Sequence, residues 1–338
     1  MPVGCGRFGT GGGYANLSGM PDSLPCFDDI LAAAARISPH AYVTPVLHSR
    51  TLNTLASAQL HFKAEHLQRV GAFKFRGACN AVWALSEAQA RAGVVTHSSG
   101  NHGAALALAA QTRGIACHVV VPEGAVAAKL TSIRRYGATL HACAASIAAR
   151  EEKCLQVQRE TGAILVHPYT DPQVIAGQGT AALELLNAVE ALEVLVVPVG
   201  GGGLAAGTAI AAAALLPDCR VVLAEPEGAA DTARSLAAGE RLIDFVPDTV
   251  CDGLRGTLGQ PNFELLRRHA VEVLTVRDAD TLQAMRLLWQ TTKQLVEPSS
   301  AIALAAVLQH SARFAGRRVG LLLSGGNVDL DALPWGAR

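Results

Sequence analysis

Four short stretches of this chain carry residues whose types and spacing could do chemistry. Lys74 stands between Phe73 and Phe75 in Gln68-Arg69-Val70-Gly71-Ala72-Phe73-Lys74-Phe75-Arg76-Gly77-Ala78. A surface lysine whose stem packs on aromatics fits that sequence; so does an amine held partly out of water, with a lowered pKa and an available lone pair. Gly200, Gly201, Gly202 and Gly203 follow the apolar run Val194 to Val199 and precede an Ala-rich segment, Leu204 to Leu216. Glycines at a strand-to-helix junction let backbone N–H groups approach an anion at the helix N-terminus, so a phosphate belongs there. Thr96-His97-Ser98-Ser99-Gly100-Asn101-His102-Gly103 is a second such turn, where hydroxyls and N-terminal amides converge, although a Ser or Asn helix cap reads the same way. Ser324, in Ser324-Gly325-Gly326-Asn327-Val328-Asp329-Leu330, ends a buried strand at the edge where open α/β sheets gather ligand contacts. Its hydroxyl could meet a heterocycle nitrogen or simply begin a turn.

The glycine run by itself is ambiguous. Gly200, Gly202 and Ala205 also satisfy the G-x-G-x-x-A spacing of a dinucleotide fold, and Glu225 closes the next strand where a ribose ligand is expected. A P-loop is excluded because no Gly-Lys-Ser/Thr follows. A nicotinamide-dependent oxidoreductase (NAD) would use those residues but leave Lys74 and the Ser98-Ser99 turn idle. A non-catalytic ligand-binding protein would use the phosphate cradle but not the lysine.

The elements that must position these groups read as alternating strands and helices. Phe27 to Ser38 is expected as a first helix, Leu60 to Glu65 as a strand, and a helix runs from Lys74 to about Ala90. From Gly93 the pattern repeats: strands at 94–97, 116–121, 139–142 and 163–167 alternate with helices at 101–113, 125–136 and 145–159. After Asp171 come a long helix, the glycine-run unit, the strand Arg220 to Glu225, and strands near 271–276 and 319–323. Such alternation predicts an α/β fold with parallel strands and helices on both faces. No internal repeat or low-complexity linker is visible, so any second domain must be inserted within the first.

Composition narrows the function classes. The chain has 338 residues, 50% of them hydrophobic, enough for a large core and one or two domains. Lys and Arg balance Asp and Glu at 28 each, so nothing attracts nucleic acid or an anionic membrane, and no apolar stretch reaches the roughly 20 residues needed to span a bilayer. The eight cysteines, Cys5, Cys26, Cys79, Cys117, Cys143, Cys154, Cys219 and Cys251, are scattered without metal-ligand spacing and read as reduced residues of a cytoplasmic protein. Residues 1–19, rich in glycine and without a signal-peptide core, read as a disordered tail, with Met20 an alternative start.

Taken together, Gly71-Ala72-Phe73-Lys74-Phe75-Arg76-Gly77-Ala78, Ser98-Ser99-Gly100-Asn101-His102-Gly103, the Gly200 run and Ser324-Gly325-Gly326-Asn327-Val328-Asp329-Leu330 resemble, in order, the pyridoxal-phosphate enzymes of the tryptophan-synthase β-subunit fold. The likeness is in particular to the serine/threonine dehydratase and serine racemase family, from about Thr44 to Leu330. The resemblance implies two open, twisted parallel-sheet domains: a large one from residues 20–90 and 170–338, and a small mobile one, 91–169, inserted in it. It implies a homodimer and a small-molecule amino-acid substrate. Lys74 would form the Schiff base with the cofactor, Phe73 would pack on its ring, and Asn101 would bond the ring hydroxyl. Gly200, Gly201, Gly202, Gly203 and Leu204 would hold the phosphate, and Ser324 would face the ring nitrogen. A neutral serine there makes the ring a weaker electron sink than a carboxylate would, which favours β-elimination.

The activity this implies is dehydration of L-serine, L-threonine or L-threo-3-hydroxyaspartate to a 2-keto acid and ammonia, with Lys74 as the base and Ser98, Ser99, Asn101 and His102 clamping the α-carboxylate. Ser99 matches the serine that delivers a proton to the opposite face in serine racemases, so racemisation is the alternative. Arg150 and His97 match the position that meets the distal end of a dicarboxylate. Glu225, the Ala229 carbonyl and Asp231 match a Mg2+, Mn2+ or Ca2+ site. The nucleotide site of mammalian serine racemases is only partly matched: Tyr136, Lys293 and Asn327 agree, but Arg69 and Ala104 replace a lysine and a glutamine, so ATP activation is not expected. No regulatory domain is expected after Leu330.

Overall fold

A computed structural model describes residues 24–125, 127–333 and 335; the expected tail, 1–19, lies outside the described residues. Among the described residues ten strands form two sheets: β1 (Val46–Leu47), β2 (Gln59–Lys63), β3 (Val94–Thr96), β4 (Cys117–Pro122), β5 (Thr139–Cys143), β6 (Ile164–Leu165), β7 (Val194–Pro198), β8 (Arg220–Pro226), β9 (Glu272–Val276) and β10 (Arg318–Leu322). The larger sheet has the order β1-β2-β10-β7-β8-β9 and is parallel except for β1, which runs antiparallel to β2. The smaller, β5-β4-β3-β6, is wholly parallel and is made by residues that fall between β2 and β7 in the chain.

The apolar runs sit where both faces are covered. In β7 every residue is buried: Val194 and Val196 face the helix Pro298–Gln309, while Leu195 and Val197 face the helix Gly203–Leu215. The small sheet repeats this arrangement, with Val94, Val119 and Val121 against the helix Asn101–Arg113 and Val95 and Val120 against the helix Ile147–Thr161. Unbroken apolar strands of this kind are what a doubly covered parallel sheet requires.

The helix Pro172–Ala188 is packed between the helices Lys74–Ala84 and Gly203–Leu215. Glycines set the spacing. A Cβ on Gly177 would lie 2.6 Å from the Cα of Gly77, and one on Gly207 would lie 2.6 Å from the amide nitrogen of Gly179. The helix that begins at Lys74 and the helix that begins at the glycine run are thus brought against one common support.

Several boundaries differ from those read in the sequence. The helix at Lys74 stops at Ala84, and Glu87–Ala92 forms a separate helix because Ser86 and Gln89 close a capping box and Leu85 is extended. The expected strand 163–167 is reduced to Ile164–Leu165, after which the chain turns away through His167. The strand after Leu60 ends at Lys63, and Glu65–Leu67 is a 3₁₀ turn.

Candidate active site

Lys74 opens its helix where the chain crosses from the large sheet. The amide of Phe73 donates to the carbonyl of Ser324 at 2.9 Å, and Ala72 and Gly325 form an isolated antiparallel bridge, so the lysine is stitched to the strand end that carries Ser324. Its Nζ donates to the Pro168 carbonyl at 2.9 Å and lies 5.2 Å from the Phe73 ring centroid. Desolvation lowers its pKa from 10.5 to about 8, with the Glu297 carboxylate opposing the shift. Of the two readings open in the sequence, the partly desolvated amine is the one found.

The glycine run lies one residue from that amine's acceptor. Tyr169, next to Pro168, lays its ring on Gly201, where a Cβ would fall 2.4 to 2.6 Å from three ring carbons. Gly202 takes φ +91°, a conformation that leads the chain into the helix Gly203–Leu215 and that a side chain would strain. Asn262 fixes the turn by donating to the carbonyls of Tyr169 (2.9 Å) and Gly201 (2.5 Å). The amides of Gly200, Gly201 and Gly202 donate to no oxygen among the described residues. A bend with spare N–H donors at a helix N-terminus, beside an amine of pKa about 8, fits a phosphorylated aldehyde.

Ser324 is 4% exposed and donates to the Ser299 carbonyl at 3.4 Å. Asn101 is held at both ends of its amide: Nδ2 donates to both Glu297 oxygens at 3.0 and 3.1 Å, and Oδ1 accepts from Asn327 Nδ2 at 2.9 Å. Asn327 also donates to the Val70 carbonyl at 2.8 Å, Arg69 donates to the His40 carbonyl and lies over the Phe75 ring, and Lys293 donates to the Gln290 carbonyl in its own helix. Three of the residues weighed for a nucleotide are therefore engaged within the chain.

The other wall comes from the small sheet. Ser98 and Ser99 are half-buried in the turn between β3 and the helix Asn101–Arg113, and the Ser98 hydroxyl accepts from the Gly100 amide at 3.4 Å. His102 and His167 lie within the field of the amine, His97 packs on His167, and all three have lowered pKa values. Burial, then the Arg150 charge, lowers His97 to about 4; burial, then Lys74, lowers His102 to about 3; burial holds His167 well below its usual value. The His102 ring is 2% exposed and bonds the Val166 carbonyl at 3.3 Å, so it faces the protein and only its amide stays with the turn. The His97 and His167 rings meet edge to face at 5.1 Å, and His167 Nδ1 accepts the amides of Tyr169 and Thr170. Arg150, from the helix Ile147–Thr161, bonds only its own helix, at the Ser146 carbonyl, yet its field reaches His97.

Glu225 and Asp231 lie at the far end of β8, both fully buried. Glu225 accepts the amides of Thr232 and Ala233 at 2.8 Å each, and Asp231 Oδ2 accepts the Leu258 amide at 2.8 Å while its Oδ1 has no partner. Burial raises them to about 7 and about 6. Ala229, 1% exposed, ends the turn between them. No group of three or more His, Cys, Asp or Glu with metal-binding geometry occurs among the described residues, so a cation here would draw on carbonyls and water; the orphaned carboxylate oxygen fits that role.

Four residues of this site carry no mark in the sequence: His167, Tyr169, Asn262 and Glu297 arrive from segments far from Lys74. His167-Pro168-Tyr169 before the Asp171 helix cap, and Glu297-Pro298 at a helix start, are local signals of chain turns only.

A desolvated amine beside a glycine bend with unpaired amides, on a two-sheet α/β fold, is the arrangement a cofactor-dependent enzyme would use. The family model for "pyridoxal-phosphate dependent enzyme" matches residues 37–325, and the chain belongs to that family. It is 49% identical over 312 residues, 92% of this chain and 99% of the relative, to a beta-hydroxyaspartate dehydratase of Paracoccus denitrificans. It is 46% identical to the serine racemase of Arabidopsis thaliana, covering 90% of this chain and 95% of that one. The structure of maize serine racemase superposes with a TM-score of 0.89 at 44% identity, covering 91% and 95% of the two chains. The resemblance read in the motifs and the two-sheet fold both hold, and the dinucleotide reading of the glycine run falls.

Proposed function

We propose that the protein is an ammonia-lyase that dehydrates a β-hydroxy amino acid to a 2-keto acid and ammonia, and that it takes L-threo-3-hydroxyaspartate beside L-serine and L-threonine. The observation that carries this is the lowered pKa of Lys74 beside the glycine run, with Arg150 and His97 on the opposite wall. The similarity to a beta-hydroxyaspartate dehydratase supports the choice of substrate.

Bound pyridoxal phosphate would be held by Lys74, the amides of Gly200 to Leu204, Asn101 and Ser324, with Phe73 against its ring, and it supplies the electron sink for the pair left when Cα–H breaks. The residues do the rest. Lys74, neutral above about pH 8, takes the α-proton. Ser98, Ser99, the Asn101 side chain and the first amides of the helix Asn101–Arg113, His102 included, bind the α-carboxylate. Arg150 pairs with the β-carboxylate, and His97, uncharged, donates a hydrogen bond to it. Loss of the β-hydroxyl as water leaves an enamine that hydrolyses to the keto acid. Residues 91–169 serve as the mobile unit that closes over substrate.

Serine racemisation is a second reading, favoured by Ser99, whose hydroxyl forms no hydrogen bond among the described residues and is free to carry a proton. Glu225, Asp231 and the Ala229 carbonyl would take Mg2+, Mn2+ or Ca2+. A cytoplasmic homodimer completes the proposal, the seven cysteines among the described residues, none of them in a disulfide, suiting a reducing compartment. The test is a substrate panel scored by keto acid released and by chiral analysis of remaining serine. Keto acid from 3-hydroxyaspartate at the highest kcat/KM supports the reading; none from any of the three substrates ends it.

A further inference from the structure

Arg76, two residues beyond Lys74, has no part in the chemistry above, yet it is fully buried with two edges of its guanidinium each paired to a carboxylate. Its Nε donates to Glu65 Oε2 at 2.7 Å and Nη2 to Glu65 Oε1 at 2.8 Å. Nη1 and Nη2 donate to Glu184 Oε1 and Oε2 at 2.6 and 2.8 Å, the second Nη1 hydrogen reaches Thr180 Oγ1 (3.2 Å), and the Tyr42 carbonyl, 3.3 Å from Nη2, shares the Nη2 hydrogens with the two carboxylates. Lys63, 1% exposed, completes the set by donating to Glu184 Oε2 at 2.5 Å and to the Thr44 carbonyl at 2.7 Å, and Thr44 Oγ1 donates to Glu65. Two cations and two anions thus cancel, three of them fully buried and the fourth, Glu184, 22% exposed.

The four residues come from three arms of the site. Arg76 is in the first turn of the Lys74 helix. The Lys63–His66 backbone brackets Leu323, with the Leu323 amide donating to the Lys63 carbonyl and the His66 amide donating to the Leu323 carbonyl, each at 3.0 Å; Ser324 is the next residue. Glu184 is on the helix Pro172–Ala188, which follows directly from Pro168 and Tyr169, the acceptor of the Lys74 amine and the cover of the glycine run. An apolar plug of equal volume would hold the helices at lower desolvation cost. What a doubly bidentate guanidinium adds is direction, since two forks in one plane fix rotation as well as distance.

We propose that Arg76, clamped by Glu65 and Glu184 and balanced by Lys63, is the positioning residue that sets the Lys74 amine relative to Ser324 and Pro168. This rests on the reading of Lys74 as the amine that carries the cofactor. Displacing that amine by about 1 Å costs on the order of a hundredfold in rate.

Two variants of the holoenzyme test it: Arg76→Lys, which keeps the charge without the fork, and the double Lys63→Met/Glu184→Gln, which removes one charge of each sign and leaves the Arg76–Glu65 pair. In both we expect kcat per bound cofactor to fall by about a hundredfold, with KM for the amino acid changed less than about threefold. The induced circular dichroism of the cofactor band should weaken. The pH midpoint for borohydride-trapped labelling of Lys74 in the apoprotein should rise from about 8 toward the free-lysine value. If kcat per bound cofactor, the circular dichroism and the labelling midpoint all stay at parent values in the folded variants, the network is structural only and the proposal falls; the double variant decides if Arg76→Lys does not fold. A parent protein without a borohydride-sensitive visible band would instead overturn the cofactor reading itself.

Discussion

The two walls of the cleft are built differently. The large-sheet side is tied down by bonds within it and across to the other segment: Lys74 to the Pro168 carbonyl, the Phe73 amide to Ser324, Gly201 under the Tyr169 ring, and Glu297 and Asn327 to the Asn101 side chain. On the small-sheet side Ser98, Ser99, His97 and Arg150 are half-buried and make few bonds beyond their own segments. On the proposed function, the first wall would be preorganised for a cofactor that stays and the second left adaptable for a substrate that comes and goes. Rigidity thus follows residence time, and substitutions on the two walls should differ in kind as well as in size.

The largest effect is expected at Lys74. Lys74→Ala should lower keto-acid formation by about 10⁴-fold or more, because no other amine with a lowered pKa faces the cleft among the described residues. Retained turnover would break the contrast at its centre. Next, Gly201→Ala puts a methyl 2.4 Å from the Tyr169 ring and should weaken cofactor binding by about tenfold to a hundredfold, read by dialysis and visible absorbance. On the other wall, Arg150→Gln should cut kcat/KM for 3-hydroxyaspartate by about a hundredfold and leave L-serine within about threefold, the difference being one charge-assisted pair. Equal losses on both substrates would show Arg150 supporting the fold instead of reading the substrate.

How much of this was legible in the sequence follows the same division. Lys74, the glycine run and Ser324 could be found because each is encoded by its immediate neighbours: flanking aromatics, consecutive glycines, an apolar strand ending in serine. Tyr169 and Glu297 could not, since their role depends on which distant backbone they approach, and no local spacing records that. Helix ends failed for a related reason. Nothing apolar in the pattern distinguishes one helix at 74–90 from two, and the break comes from the polar exchange between Ser86 and Gln89. Arg76 sat inside the most informative motif, yet its two carboxylate partners lie 11 residues before it and 108 after.

Two smaller effects sharpen the comparison. Labelling of Lys74 in the apoprotein should rise with pH around a midpoint near 8; its folded-state pKa is depressed, so the reactive neutral amine appears more than two pH units earlier than for a free lysine. A midpoint near 10 would place the amine in water. Exhaustive chelation should lower the melting temperature by about 5 °C when the metal had been present at about a hundred times its Kd, because a cation bound only to the folded chain stabilises it by about 2.7 kcal/mol. An unchanged melting curve would leave the free Asp231 oxygen to an internal water.

The smallest expected change in elimination is at Ser99, and it separates the two readings of function. Its hydroxyl binds nothing among the described residues and lies two residues before the N-terminus of the helix Asn101–Arg113, whose first amides are proposed to take the carboxylate. In Ser99→Ala those amides, Ser98 and Asn101 remain, so a single neutral hydrogen bond worth about 1 kcal/mol is lost and elimination should slow by no more than about fivefold. Inversion of L-serine is different, because it requires a proton on the face opposite Lys74. Without the hydroxyl that proton has no carrier, so D-serine formation by the parent should vanish in the variant while keto acid continues. If D-serine persists, a water or another side chain serves that face; if elimination collapses as well, Ser99 belongs with the tightly held wall and the contrast between the two sides is smaller than their hydrogen bonding implies.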